Sequence, residues 1–101
     1  MNKSKLLSTL GLALRAQQLI SGEEFSCELI RKQRAFLVLL ASDAGKNTTK
    51  KILDKAAYYG VKVYRELTTA EISQAIGKQN RKVVAITGKD FAQLLESAIN
   101  E

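Results

Sequence analysis

The sequence predicts a single α/β/α sandwich, with helices covering both faces of one sheet. Three observations carry that expectation. Stretches with apolar residues every three or four positions alternate with short, unbroken apolar runs. The chain has 101 residues, which allows one domain built on one continuous core. Hydrophobic residues make up 46% of it, far more than in disordered chains, and no proline interrupts any element.

The elements follow in order. Leu6, Leu7, Leu10 and Leu14 predict an amphipathic helix over residues 4–16, with Gly11 inside it. Leu19-Ile20 is a short extended piece. Ser21-Gly22-Glu23-Glu24 matches the S-x-x-E capping box, so a helix is expected to start there. Phe25, Leu29 and Ile30 give that helix one apolar face. Arg31, Lys32 and Arg34 gather at its C-terminal end, where cations suit the helix dipole. Residues 35–41, Ala-Phe-Leu-Val-Leu-Leu-Ala, read as a strand buried on both faces, with Phe36 in the core. Ser42 to Lys46 is a polar turn containing Gly45. Asn47 or Thr48 caps a third helix, whose core side is Ile52, Leu53, Ala56 and Tyr59 and which Gly60 ends.

Val61, Val63 and Tyr64 make a half-buried strand. Thr68-Thr69-Ala70-Glu71 is a second capping box, opening a short helix with Ile72, Ala75 and Ile76 that Gly77 closes. Lys78 to Lys82 is a strongly basic loop, and Val83 to Ile86 a further buried strand. Asp90 opens the last helix, with Phe91, Leu94, Leu95, Ala98 and Ile99 at core spacing. There are no linkers, repeats or low-complexity segments.

Sixteen Lys and Arg against ten Asp and Glu give a formal charge of +6. The isoelectric point near 9.6 favours a polyanionic partner. Histidine is absent and Cys27 is the only cysteine. Four Cys or His ligands for a structural zinc site therefore do not exist, no internal disulfide can form, and Cys27 reads as a small buried hydrophobe. No metal or cofactor is expected. Without histidine the usual general base near neutral pH is missing, and neither G-x-G-x-x-G nor a P-loop occurs. The paired carboxylates Glu23 and Glu24 are accounted for by the expected cap. The reading is non-enzymatic. The polar start, Met1 to Lys5, and the spaced apolar residues after it are neither signal peptide nor membrane span, so a cytoplasmic chain with no membrane partner is expected.

Two places combine accessible backbone with cationic or polar side chains. One is the start of the second helix, at Ser21-Gly22, where free N–H groups attract phosphate and glycine permits close approach. The other is Lys78-Gln79-Asn80-Arg81-Lys82, with three cations and two amides for phosphates and base edges. A third stretch, Lys46-Asn47-Thr48 with Lys50, Lys51 and Lys55, reads either as a phosphate-facing stripe or as an ordinary solvated face. Phe36 and Phe91 look like core, and Tyr58 or Tyr59 is at most partly exposed, so no aromatic platform for single strands is indicated.

An ordered set of motifs runs along the chain. It comprises Leu10-Gly11-Leu12-Ala13, Ile20-Ser21-Gly22-Glu23-Glu24, Ala35 to Asp43, Asn47-Thr48, Gln74-Ala75-Ile76-Gly77-Lys78 and Val83-Val84-Ala85-Ile86-Thr87. Together it resembles the ribosomal-protein family L-seven-Ae, and within it the bacterial YlxQ-type branch. The resemblance implies a four-stranded mixed sheet and binding to structured RNA, above all the kink-turn, a sharply bent duplex with tandem sheared G·A pairs. It implies that the helix after Gly22 enters the RNA groove through a G-x-N-E-x-x-K pattern, and that the loop before the last strand packs on a bulged nucleotide. This chain departs from that pattern. Glu24 stands where the family has Asn, Phe25 where it has Glu, and Glu28 where it has Lys.

Two expectations follow. Either the chain binds ribosomal or kink-turn-like RNA through backbone amides and the Lys78–Lys82 loop, or it serves as a protein-interaction module in ribosome or translation-factor assembly. The expected interface comprises Ser21, Gly22, Glu23, Glu24, Phe25, Glu28, Arg31, Lys46, Asn47, Lys78, Gln79, Asn80, Arg81 and Lys82. An RNA-methyltransferase recognition domain is a third possibility by general shape, but no cofactor-binding part accompanies it.

Overall fold

The computed structural model describes residues 1–101, with nine elements in the order expected. They are α1 (Lys3–Arg15), β1 (Leu19–Ser21), α2 (Glu23–Arg31), β2 (Leu37–Leu40), α3 (Lys46–Tyr59), β3 (Val63–Tyr64), α4 (Thr69–Ala75), β4 (Val83–Ile86) and α5 (Lys89–Ile99). No helix is long and apolar enough to cross a membrane.

The strands form one mixed four-stranded sheet in the order β1-β4-β2-β3. β4 is antiparallel to both its neighbours, with Ile20 opposite Ala85 and Val38 opposite Ala85. β2 and β3 are parallel, and the crossover that parallel pairing requires is α3. β2 and β4 are buried at every position, which is why their sequences are unbroken apolar runs.

The core divides into two clusters, one on each face of the sheet. Leu6, Leu10, Ile72 and Leu95 bring α1, α4 and α5 against Leu37, Leu39, Val84 and Ile86. Cys27, Ile30, Ile52 and Ala56 bring α2 and α3 against Val38, Leu40, Val83 and Ala85. Alternate residues of the same strands feed opposite layers, as the period of two demands. Gly11 allows α1 and α4 to approach closely, since a Cβ there would lie 3.1 Å from the Ala75 carbonyl oxygen.

Several local expectations are corrected. Ser21 does not cap α2. It is the last residue of β1, paired with Val84, and Gly22 at φ 111° is the N-cap without a side-chain hydrogen bond. Glu24 consequently has no capping role. α3 begins at Lys46 after Gly45, so Asn47 and Thr48 lie inside its first turn. α5 begins at Lys89 after Gly88, one residue before Asp90. Phe25 is 64% exposed, because it projects from the flank of α2 opposite the buried Ser26, Cys27 and Ile30. Phe36 is 52% exposed, because it precedes β2 at the end of the sheet beyond α2. Tyr58 is 82% exposed, Leu53 and Leu94 are also exposed, and none of the three belongs to a core cluster.

The Thr68 capping box is formed as expected. The Glu71 backbone N–H donates to Thr68 Oγ1 at 3.2 Å, and the Thr68 N–H donates to Glu71 Oε1 at 2.9 Å. Thr68→Ala removes the first of these bonds and is expected to cost about 1 kcal/mol. That corresponds to a fall in Tm of about 4–8 °C. Calorimetric melting of the variant checks this, and an unchanged Tm would show that the cap contributes nothing.

Candidate nucleic-acid interface

Because β4 runs antiparallel to both β1 and β2, its first residue lies beside their last ones. The Lys78–Lys82 loop therefore arrives where α2 and α3 begin. Two backbone bonds fix the junction. Gly22 N–H donates to the Val83 carbonyl at 2.9 Å, and Ala41 N–H donates to the Lys82 carbonyl at 2.7 Å. A cleft of about 250 Å³ results, lined by Gly22, Glu23, Thr48, Asn80, Arg81, Lys82 and Val83.

The loop is tied down by a residue that its own sequence does not reveal. Ser73, buried in α4, accepts from Arg81 N–H at 2.8 Å and donates to the Arg81 carbonyl at 3.4 Å. Gly77 and Asn80 take left-handed conformations, φ 66° and 54°, so the chain reverses within the loop. Lys78, Gln79 and Asn80 remain exposed at its tip.

Gly22 is the floor of the cleft. At φ 111° the position disfavours any side chain. A Cβ there would also stand 3.5 Å from Arg81 Nη1. The Arg81 guanidinium thus lies over Gly22, and its buried Nε has no hydrogen-bond partner. The backbone N–H groups of Glu23, Glu24 and Phe25, at the start of α2, have no acceptor in the protein. Together with Arg81 and Lys82 they form a concave set of donors of positive potential.

One carboxylate sits in this donor set and is compensated within it. Thr48 Oγ1 donates to Glu23 Oε1, and Lys51 Nζ lies 3.2 Å from Glu23 Oε2. The Thr48 hydroxyl, followed by Lys51, holds the Glu23 carboxyl below its ordinary pKa. The same contacts join α2 to α3 and engage Lys51 with Glu23 rather than leaving it free. Lys50 instead pairs with Asp54 on the solvated side at 2.9 Å.

The expected interface residues are only partly gathered. Gly22, Glu23, Asn80, Arg81 and Lys82 line one cleft. Lys78 and Gln79 extend it at the loop tip, and Lys46 and Asn47 are exposed at the start of α3 beside it. Ser21 is half-buried in β1, and Glu24 is exposed in the first turn of α2. Phe25 and Glu28 face a separate apolar groove, where Glu28 pairs with Lys32 at 2.7 Å. Arg31 lies eight residues from the start of α2, about 12 Å along the helix axis, and is not brought to the cleft.

Residues 4–96 match the model of the ribosomal protein L7Ae/L30e/S12e/Gadd45 family. The chain belongs to that family. Among its L7Ae-type relatives is an "RNA-binding protein YlxQ" of Enterococcus faecium, 43% identical over 97% of this chain and 94% of the relative. Another of the same name, from Bacillus subtilis (strain 168), is 45% identical over 90% of this chain and 91% of its own. A solved structure from Bacillus halodurans, described as a protein of unknown function, superposes with a TM-score of 0.91. It is 40% identical over 96% of this chain and 98% of its own. A Giardia lamblia "15.5kD RNA binding protein" shares the L7Ae-type fold at a TM-score of 0.76, with 16% identity over 96% of this chain and 83% of its own.

Thr48→Val, which keeps the shape of the side chain but removes its hydroxyl, is expected to raise the Glu23 pKa toward the ordinary carboxylate value. The lowered pKa stabilises the fold above the ordinary range, and that contribution is lost as pH falls through the lowered value. Carbon-13 NMR titration of the Glu23 carboxyl tests this. An unmoved titration in the variant would assign the shift to Lys51 alone.

Proposed function

We propose that this chain is a non-catalytic cytoplasmic protein that binds structured RNA of the kink-turn type, in ribosomal or ribosome-associated complexes. The observation that carries the proposal is the convergence over Gly22 of unpaired α2 amides, the Arg81 guanidinium and Lys82. Such a surface grips phosphates from a concave side. The exposed amides of Gln79 and Asn80 stand beside it to meet base edges of an unstacked nucleotide. The relatives named as RNA-binding proteins support the same reading.

The departures at Glu24 and Glu28 shift the work from α2 side chains to backbone and loop. Glu28 is exposed and already neutralised by Lys32, so its charge opposes phosphate weakly. Glu24 is exposed and makes no salt bridge, so it is the stronger opposing charge.

The deciding measurement is affinity for a kink-turn RNA and for a straight duplex of equal length across a salt series. Preferential binding of the kink-turn at every salt concentration is expected. Replacing Lys78, Arg81 and Lys82 together by Gln should weaken binding and flatten the plot of log affinity against log salt by about 0.7–0.9 for each lost phosphate contact. Equal affinity for both RNAs, or a triple variant that binds as well as the wild type, would overturn the proposal.

Glu28→Lys places a second cation one turn into α2 and frees Lys32. It is expected to tighten kink-turn binding and to steepen the salt dependence by about one contact. Unaltered affinity at matched salt would place this turn of α2 outside the RNA groove.

A further inference from the structure

The two faces of the sheet are covered unequally. Three helices, α1, α4 and α5, pack on one face, and only α2 and α3 on the other. The less covered face is open beside α2, above the edge strand β1. Ile20 points to that face, since its ladder partner Ala85 belongs to the α2–α3 cluster. It is nevertheless 37% exposed. Phe25 and Leu29 on the free flank of α2, and Phe36 ahead of β2, line two hollows that share Ile20 and Leu29. The result is a groove with four apolar side chains along one helix, of the kind that marks a docking surface.

The charges around the groove choose its occupant. Arg34 lines it at the Phe36 end, and Lys78 lines its continuation past Leu14 and Phe25. Neither forms a salt bridge within the chain, whereas Lys32 on the α2 wall is paired with Glu28. Two copies of the groove facing each other would oppose these cations, which disfavours self-pairing. RNA would meet a floor of four apolar side chains, with donors such as Arg34 and Gln33 only at its border. α2 spans nine residues, about 13 Å, so the space beside it fits a parallel or antiparallel helix of similar length.

We propose that this groove docks an acidic amphipathic helix of a partner protein. Apolar residues spaced i, i+3, i+4, i+7 along that helix would cover Ile20, Phe25, Leu29 and Phe36, and carboxylates near its two ends would meet Arg34 and Lys78. The bound helix is the third helix of the under-covered face. The groove runs toward Phe36, whose backbone N–H bonds Ile86 at the far end of β4, whereas the RNA cleft adjoins Val83 at the near end. The two surfaces adjoin through Lys78 and Glu28, so a docked helix would take that flank of α2 and leave the cleft at Gly22, Arg81 and Lys82 open.

The probe is a capped helical peptide of about 14 residues with Leu at that spacing and Glu and Ala elsewhere. Its control carries Lys in place of every Glu. Each is titrated into the nitrogen-15-labelled full chain. Shifts centred on Ile20, Phe25, Leu29 and Phe36 are expected, with the Glu peptide bound about tenfold or more tightly than the Lys peptide. Phe36→Ser, at an exposed position that leaves the fold intact, should weaken the Glu peptide by about tenfold without changing RNA affinity. Equal binding of the two peptides, or shifts elsewhere, would sink the proposal. So would concentration-dependent self-association that Phe36→Ser abolishes, which assigns the groove to a second copy, or a loss of RNA affinity in that variant, which assigns it to RNA. Failure of RNA binding alone, with peptide binding intact, would bear only on the cleft.

Discussion

The antiparallel pairing of β4 with both β1 and β2 is the constraint on which the molecule depends. It puts the start of β4 between the ends of two strands, one leading straight into α2 and the other reaching α3 through the short turn 41–45. The helix starts, with their unpaired amides, and the loop before β4, with its cations, are thereby forced to one place. Were β4 parallel to its neighbours, the same loop would emerge at the opposite end of the sheet, beside the C-terminal ends of helices and their carbonyl oxygens. The register matters as much as the direction. Because Leu40 stands opposite Val83 and Ser21 opposite Val84, the chain leaves the ladder on all three strands within about one residue's rise.

Within the cleft, backbone groups act beside two side-chain cations, Arg81 and Lys82. Gly22 contributes an open floor, α2 contributes amides, and Arg81 is aimed by its own backbone bonds to Ser73. Glu23 would counteract them, but Thr48 and Lys51 turn its charge into a link between α2 and α3. The resemblance implies Asn, Glu and Lys at three positions of α2, and this chain has Glu24, Phe25 and Glu28 there. Phe25 and Glu28 instead border the apolar groove, so one helix serves two surfaces. An exposed phenylalanine in the first turn leaves apolar surface in water on that flank of α2.

Much of this fold could be read from sequence periodicity, and the failures have definite causes. The buried strands 37–40 and 83–86 and the Thr68 box were legible because each signal is contained in a few adjacent residues. The Ser21 box was false because a pairing with Val84, more than sixty positions away, claimed Ser21 for the sheet. Phe25 and Phe36 were rightly apolar, but their exposure depends on how many helices share a face, which no local pattern records. The four-stranded, mixed character of the sheet came from the family resemblance and not from spacing, and the strand order is first visible in the structure. At the cleft, Gly22 and the Lys78–Lys82 loop had been singled out by residue type, and the structure brings them together. Ser73 was not, because a serine inside a helix gives no sign that its hydroxyl holds a loop eight residues further on.

That hydroxyl has a thermodynamic consequence. Ordering a flexible backbone costs about 1–2 kcal/mol for each residue. A cationic loop free in solution would incur that cost when it closed on its ligand. Here the Ser73 bonds, including the one its carbonyl accepts from Lys78 N–H, and the Ala41 bond hold both ends of the loop in the folded state, and only the exposed tip at Gln79 and Asn80 is left to settle on contact. The entropy is surrendered during folding, before any ligand arrives. Recognition is thereby pre-organised: discrimination among targets falls to the shape of a surface already set.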